Sequence, residues 1–166
     1  SQIIEACEAV AKHYKSTVMV CNSSEDTRQE RDALRMLIAK RVDGILITPV
    51  KTDKNSIGFL RDTKIPVVLL NRHPGDGNID YVIGNNVKGA FLAVTHLIER
   101  GKRRIVYLTG PGYLNSVKER IKGCKMATKA NPHNPQLHIR HVKLDMPSCY
   151  DETKKILSEI KLPIGV

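Results

Sequence analysis

The sequence contains no tryptophan, and phenylalanine and tyrosine bring the aromatic share to only 4%. So few flat side chains argue against a surface that stacks unpaired bases. No apolar run approaches the roughly 20 residues that a membrane-spanning helix requires. The first residues, Ser1-Gln2-Ile3-Ile4-Glu5, lack the basic stretch and apolar core of a secretory signal, although a mature secreted chain would lack them too. None of the four cysteines, Cys7, Cys21, Cys124 and Cys149, forms a C-x-x-C pair, so zinc and thioredoxin-like chemistry have no obvious ligands. Cys7 and Cys124 fall on apolar helical faces and Cys21 closes an apolar run. They are expected as small buried hydrophobes in a reducing cytoplasm, not as disulfides.

Catalytic signatures are missing as well. G-x-G-x-x-G is absent, because Gly110-Pro111-Gly112 has no third glycine. Gly101-Lys102 is not a phosphate-binding loop: it lacks the earlier glycine and the Ser or Thr after lysine. There is no G-x-S-x-G nucleophile elbow. Asp76, Asn78 and Asp80 mimic the start of a calcium loop, but Tyr81 stands where that loop needs glycine. His138 and His141 are three apart on an expected strand and so face opposite sides. No cofactor, no metal and no enzymatic activity are therefore expected.

What is present is a globular chain of 166 residues, 41% hydrophobic and 27% charged, enough for one domain or two small lobes. The net charge is +10. A summed field of that sign favours anionic partners. The basic residues are scattered, however, apart from Lys102-Arg103-Arg104, and a solvated surface is the preferred reading over a nucleic-acid face.

Short apolar runs alternate with helical spacing. Ile3, Cys7, Val10, Ala11 and Tyr14 mark a helix, and Thr17–Cys21 reads as a strand. Asp26 caps the next helix with Gln29 as capping-box partner, and Leu34, Leu37 and Ile38 form its apolar face. Strands are expected at Gly44–Thr48, Pro66–Leu70 and Tyr81–Ile83, with a weaker helix near Asn55–Arg61. Val87, Ala90, Phe91, Val94, Leu97 and Ile98 form the cleanest helical stripe, capped by Asn85 or Asn86 and ended by Gly101. A strand at Arg104–Leu108, a helix at Ser116–Lys129, a strand at Leu137–Lys143 and a helix opened by Ser148 and Asp151 follow, with Pro163 as the stop. Such alternation means parallel sheets covered on both faces. The loop Arg72–Asn78 is the expected boundary between two lobes. A helix starting almost at Ser1, and a strand starting at Ile164-Gly165-Val166, point to further sequence on both sides.

Three stretches carry a resemblance. The first is Cys21-Asn22-Ser23-Ser24-Glu25-Asp26 followed by Arg41-Val42-Asp43-Gly44-Ile45. The second is Ile65–Arg72. The third runs from Val82-Ile83-Gly84-Asn85-Asn86-Val87-Lys88-Gly89-Ala90 through His96–Ile105 and Leu108-Thr109-Gly110-Pro111 to Ser116, Arg120 and Gly123. In order and spacing they resemble the lactose/galactose-repressor family of transcriptional regulators over most of the chain.

The resemblance implies a periplasmic-binding-protein-like α/β fold: two doubly wound parallel-sheet lobes, Rossmann-like with three α/β/α layers, truncated at both ends. The first lobe would be 1–84, lacking its first strand, and 85–166 would be part of the second. A sugar or related small-molecule effector would bind between them and control a cytoplasmic homodimer with no membrane contact. Operator DNA would be held by an upstream helix-turn-helix that this chain does not contain. Arg120 matches the effector-binding arginine and Ser116 a small hydroxyl that commonly touches effector. Asn71 stands where an acidic residue is usual, Gly84 replaces an aspartate, and Thr48 lies at a strand's C-terminal end, where such folds form their crevice. Asn85 and Asn86 would sit at the inter-lobe crossover. The competing expectation is a periplasmic sugar-binding protein for transport or chemotaxis.

Overall fold

The computed structural model describes residues 2–74 and 78–160, with the side chains of residues 54–57 left out. The middle of the expected boundary loop, residues 75–77 with Asp76, and the expected stop and strand beyond residue 160 lie outside the described residues. The chain divides into two compact units, Ser1–Val42 and Asp43–Val166.

The first unit holds α1 (Gln2–His13) and α2 (Thr27–Ala39). The stripe of α1 forms a helix, but none of its residues is buried, and Tyr14 just beyond it is exposed. Thr17–Cys21 forms no strand, contrary to expectation. β-branched residues become a strand only when a neighbouring backbone completes a ladder, and among the described residues none does. Cys21 is accordingly exposed and Cys7 only half-buried; of the four free cysteines Cys124 alone is buried, which corrects the expectation for the others. Asp26 caps α2 as expected, accepting from the backbone of Arg28 (2.7 Å) and Gln29 (2.9 Å). Hydrogen bonds from the Gln29 and Arg28 backbones hold its carboxyl below the usual value. Gln29 returns no side-chain bond among the described residues, so the capping box is half formed.

The second unit contains two parallel sheets. β1 (Ile45–Ile47), β2 (Val67–Leu70) and β3 (Asp80–Val82) pair in that order, with α3 (Lys54–Asp62) between β1 and β2. Leu69 at the sheet's centre is wholly buried. Then come α4 (Asn86–Glu99), β4 (Arg104–Thr109), α5 (Asn115–Lys129), β5 (Gln136–His141) and α6 (Met146–Glu159). β4 and β5 pair in parallel, Ile105 opposite Leu137. Alternation along β4 divides the core. Ile105 and Tyr107 pack with Val94 and Ile98 of α4 and Cys124 and Ala127 of α5. Val106 and Leu108 pack against Ile156 and Ile160 on the other face. This is a three-layer arrangement with helices on both sides of the sheet.

The helix ends follow local chemistry. Gly101 ends α4 at φ +79, where a Cβ would be strained. α6 begins before the expected Ser148, because Asp145 accepts from the Ser148 backbone at 2.8 Å and Pro147 suits a first turn. Hydrogen bonds from the Ser148 backbone and side chain hold the Asp145 carboxyl low.

Gly123 sets the distance between α4 and α5. A Cβ there would overlap the carbonyl oxygen of Val87 and press on Ala90 and the Phe91 backbone. Alanine is the better helix former by ~1 kcal/mol, so glycine here reflects close approach. Gly123→Ala should therefore destabilise the second unit by about 2–3 kcal/mol through overpacking. Urea denaturation should show the midpoint falling, against the rise that helix propensity alone would give.

Candidate functional site

The site is assembled at the first turns of α4 and α5 and the loop after β2. The side chain of Asn85 caps α4, accepting from the Lys88 backbone at 2.9 Å. This leaves Asn86 as the first helical residue with its own amide free to bridge. Its Oδ1 accepts from Arg120 Nε at 2.9 Å, and its Nδ2 donates to Glu119 Oε2 at 2.8 Å. One neutral amide thus holds a guanidinium and a carboxylate from adjacent residues of α5.

Glu119 also faces His73, with Oε1 3.5 Å from His73 Nε2. That separation is long and neither ring nitrogen of His73 has a hydrogen-bond partner among the described residues, so the contact is a close polar approach and not a hydrogen bond. The His73 ring stacks on Tyr81, centroids 4.5 Å apart and 17° from parallel. Its carbonyl accepts from Asn115 Nδ2 at 2.8 Å. The residue is therefore held by α5 at two points and by β3 at a third. Beside it, Arg72 Nη1 donates to the carbonyl of Pro49 at 3.0 Å, joining the loops that follow β1 and β2.

Arg120 is exposed on α5, between half-buried Ser116 and buried Gly123. Its Nε is engaged, and among the described residues no carboxylate lies within ion-pair distance of its guanidinium. Ser116 lies on the first turn of the same helix. Asn71 follows β2 in the left-handed region at φ 59, which asparagine tolerates. Its backbone donates to Val82 at 3.0 Å and its side chain is exposed. Thr48 is exposed just past the end of β1. Arg120 and Asn86 are thus brought together, whereas no hydrogen bond joins Arg120 to Ser116, Asn71 or Thr48 among the described residues. A groove of about 400 Å³ starts at the Arg120–Asn86 pair and runs beside α4 along Ala90, Val94, Ile105 and Tyr107. It borders the edge of β4 that has no strand partner among the described residues.

His73 and Glu119 were not singled out by sequence. They are 46 residues apart, from 119 − 73, and neither belongs to a periodic pattern; the adjacency of Glu119 to Arg120 was the only available signal. Among the described residues no group of three metal-ligating side chains comes together, and no helix is long and apolar enough to cross a membrane. His141 instead faces the Gly110 carbonyl, its Nδ1 2.9 Å away. Burial raises the pKa of the Cys124 thiol, which keeps it protonated and inert.

Two parallel sheets, a crossover between them and a polar cluster at their C-terminal edge define the class: a doubly wound, ligand-binding α/β domain. Residues 1–160 match the periplasmic binding protein domain family. The chain belongs to that family, and the relatives and solved structures it resembles include repressors and regulators of the lactose/galactose type. The HTH-type transcriptional repressor PurR of Glaesserella parasuis is 30% identical over 167 residues, covering 100% of this chain and 49% of the relative. The chain therefore spans about half the length of such relatives. A probable LacI family transcriptional regulator from Corynebacterium glutamicum superposes with TM-score 0.86 at 25% identity, over 98% of this chain and 63% of that one. A periplasmic binding protein/LacI transcriptional regulator from Alkaliphilus metalliredigens, complexed with D-xylulofuranose, superposes with TM-score 0.76 at 26% identity, over 96% and 55%.

The network predicts a separation of roles. Glu119→Ala strands the Asn86 amide and the His73 ring and should cost about 1–2 kcal/mol of stability. Arg120→Ala removes an exposed side chain and should change stability by less than about 0.5 kcal/mol. Parallel urea titrations of the two variants measure the difference; equal losses would show that Arg120 is structural.

Proposed function

We propose that this chain is the effector-binding part of a bacterial transcriptional repressor, in which a sugar or related small molecule binds at the C-terminal edges of the two sheets and alters operator binding. The observation that carries the reading is Arg120. It is held by Asn86 yet has terminal donors that meet no carboxylate among the described residues, a geometry suited to a ligand's oxygens. Ser116, Asn71 and Thr48 would supply the smaller polar contacts, and the lobes would divide at 84/85, where the first sheet ends and α4 begins.

The longer protein would hold operator DNA through an N-terminal domain, as the HTH-type name of the Glaesserella relative suggests, and would act as a cytoplasmic homodimer on a two-fold operator. Repressor relatives favour this over a transport protein of the same fold, and a ligand-binding role over an enzymatic one. The sugar in the Alkaliphilus structure supports a sugar-like effector.

Arg120→Ala should weaken effector binding at least about tenfold, since hydrogen bonds to a charged donor are worth ~1.5–3 kcal/mol. Calorimetry with a panel of sugars and sugar derivatives, on wild type and variant, decides it. Equal affinities in two equally stable proteins would remove Arg120 from the site.

A further inference from the structure

We propose that the outer face of α5 is a docking surface for an acidic helical segment of a protein partner. This surface is separate from the Arg120–Asn86 pair and does not rest on the effector reading.

The basic residues are spread along the whole chain, but the carboxylates that would balance them are not. Residues 100–144 hold eleven lysines and arginines and one carboxylate, Glu119. That surplus of ten equals the net charge of the entire chain, +10, so the rest of the sequence is balanced. α5 lies at the centre of this stretch. Its single carboxylate, Glu119, is turned towards Asn86 and His73. Arg140 is met by Glu152 and Glu159 of α6. The lysines of α5 have no such counterpart.

Lys118, Lys122, Lys125 and Lys129 follow one another by four, three and four residues. At roughly 3.6 residues per turn they fall within about 60° of arc and extend along about 16 Å of the helix. All four are exposed, and the ion pairs among the described residues leave them out. Gly123, Cys124 and Ala127, the buried residues that face α4 and the sheet, are on the opposite side of α5. Ile121 and Met126 flank the lysine row, one on each side, and Met126 is 46% exposed. The six residues together line a groove of about 340 Å³.

A row of like charges at helical spacing repels itself in the isolated chain. It is matched by a partner with the same repeat and the opposite sign. An acidic helix with carboxylates at i, i+4, i+7 and i+11 sets one beside each lysine. Apolar residues next to those carboxylates meet Ile121 and Met126, whose unbranched thioether adapts to its partner. A sugar–phosphate backbone gains nothing from such apolar flanks, and an aromatic content of 4% offers bases little to stack on. A second copy of this chain would bring the same positive surplus.

The test is fluorescence anisotropy on this chain with a labelled helical peptide that carries Glu at that spacing and Leu on both flanks. A scrambled peptide of the same composition, duplex DNA and phosphatidylglycerol vesicles are the comparisons. The patterned peptide should bind most tightly, by about fivefold or more over the scrambled one, and weaken as salt is raised. Lys122→Gln with Lys125→Gln should weaken it about fivefold or more. Lys12→Gln with Lys40→Gln removes the same charge elsewhere and should change it less than about twofold. Met126→Ser should reduce the preference for the patterned peptide over the scrambled one. The substituted lysines are exposed and glutamine is nearly as good a helix former as lysine, so the fold is retained.

Equal binding of patterned and scrambled peptides, or equal losses in the two double variants, would reduce the effect to the overall charge and overturn the proposal. Tighter binding of DNA or of vesicles through Lys122 and Lys125 would overturn it in favour of that partner. No binding of the patterned peptide overturns it as well.

Discussion

The closeness of α4 and α5 governs the site. Gly123 lets the α5 backbone settle against the Val87 carbonyl. Asn86 lies one residue before that point on α4, and Arg120 lies one turn before it on α5. The Arg120–Asn86 bond is therefore a consequence of helix packing. A side chain at position 123 would push the helices apart and open a hydrogen bond that has only a few tenths of an ångström to spare. The core beneath, with Ile105, Cys124 and Ala127 nearly inaccessible, is close-packed and cannot absorb such a shift locally. Packing precision and the geometry of the Arg120–Asn86 pair are thus one constraint seen from two sides.

On that frame the polar groups form a chain instead of isolated pairs. Arg120, Asn86, Glu119 and His73 are linked in sequence, and the stack on Tyr81 ends the series on β3. His73 is nine-tenths buried, so its partners matter more than they would at the surface, where ion pairs contribute little. Arg120 is the exposed terminus. A chain anchored at its buried end and open at its outer end fits recognition: the anchored members set orientation, and the free donors wait for a partner.

Much of this arrangement was legible in the sequence. The stripe from Val87 to Ile98, the αL glycine Gly101 and the Asp26 cap are local signals, and local chemistry decided them. The spacing Ser116, Arg120, Gly123 pointed to α5, where Arg120 bonds to Asn86 and Gly123 packs against α4. Other features depended on partners far away in sequence. Thr17–Cys21 has the composition of a strand but no ladder, and the apolar side of α1 stays exposed, because periodicity reports capacity for burial and not burial itself. Cysteine placement failed for the same reason. Asp145 outcompeted Ser148 as a cap because a carboxylate accepts more strongly at a helix N-terminus. The His73–Glu119 contact had no motif, since a loop and a helix met only through the fold.

The same contacts also bear on how a ligand signal could travel. The loop after β2 belongs to the first sheet, and α5 covers the second. They are joined at His73 by the Asn115 bond to its carbonyl and by Glu119 at its ring. A ligand that pulls on Arg120 acts on Asn86 and Glu119 together, and through Glu119 on His73. Coupling energies of about 1–3 kcal/mol suffice for substantial allosteric shifts, and one or two such hydrogen bonds, made in one state and strained in another, lie within that range. Arg72, bonded to the Pro49 carbonyl, carries the link from the loop after β2 to the loop after β1. Arg120 is therefore connected, by named contacts, to the strand-end loops of the first sheet, which is the connection the proposed ligand control requires.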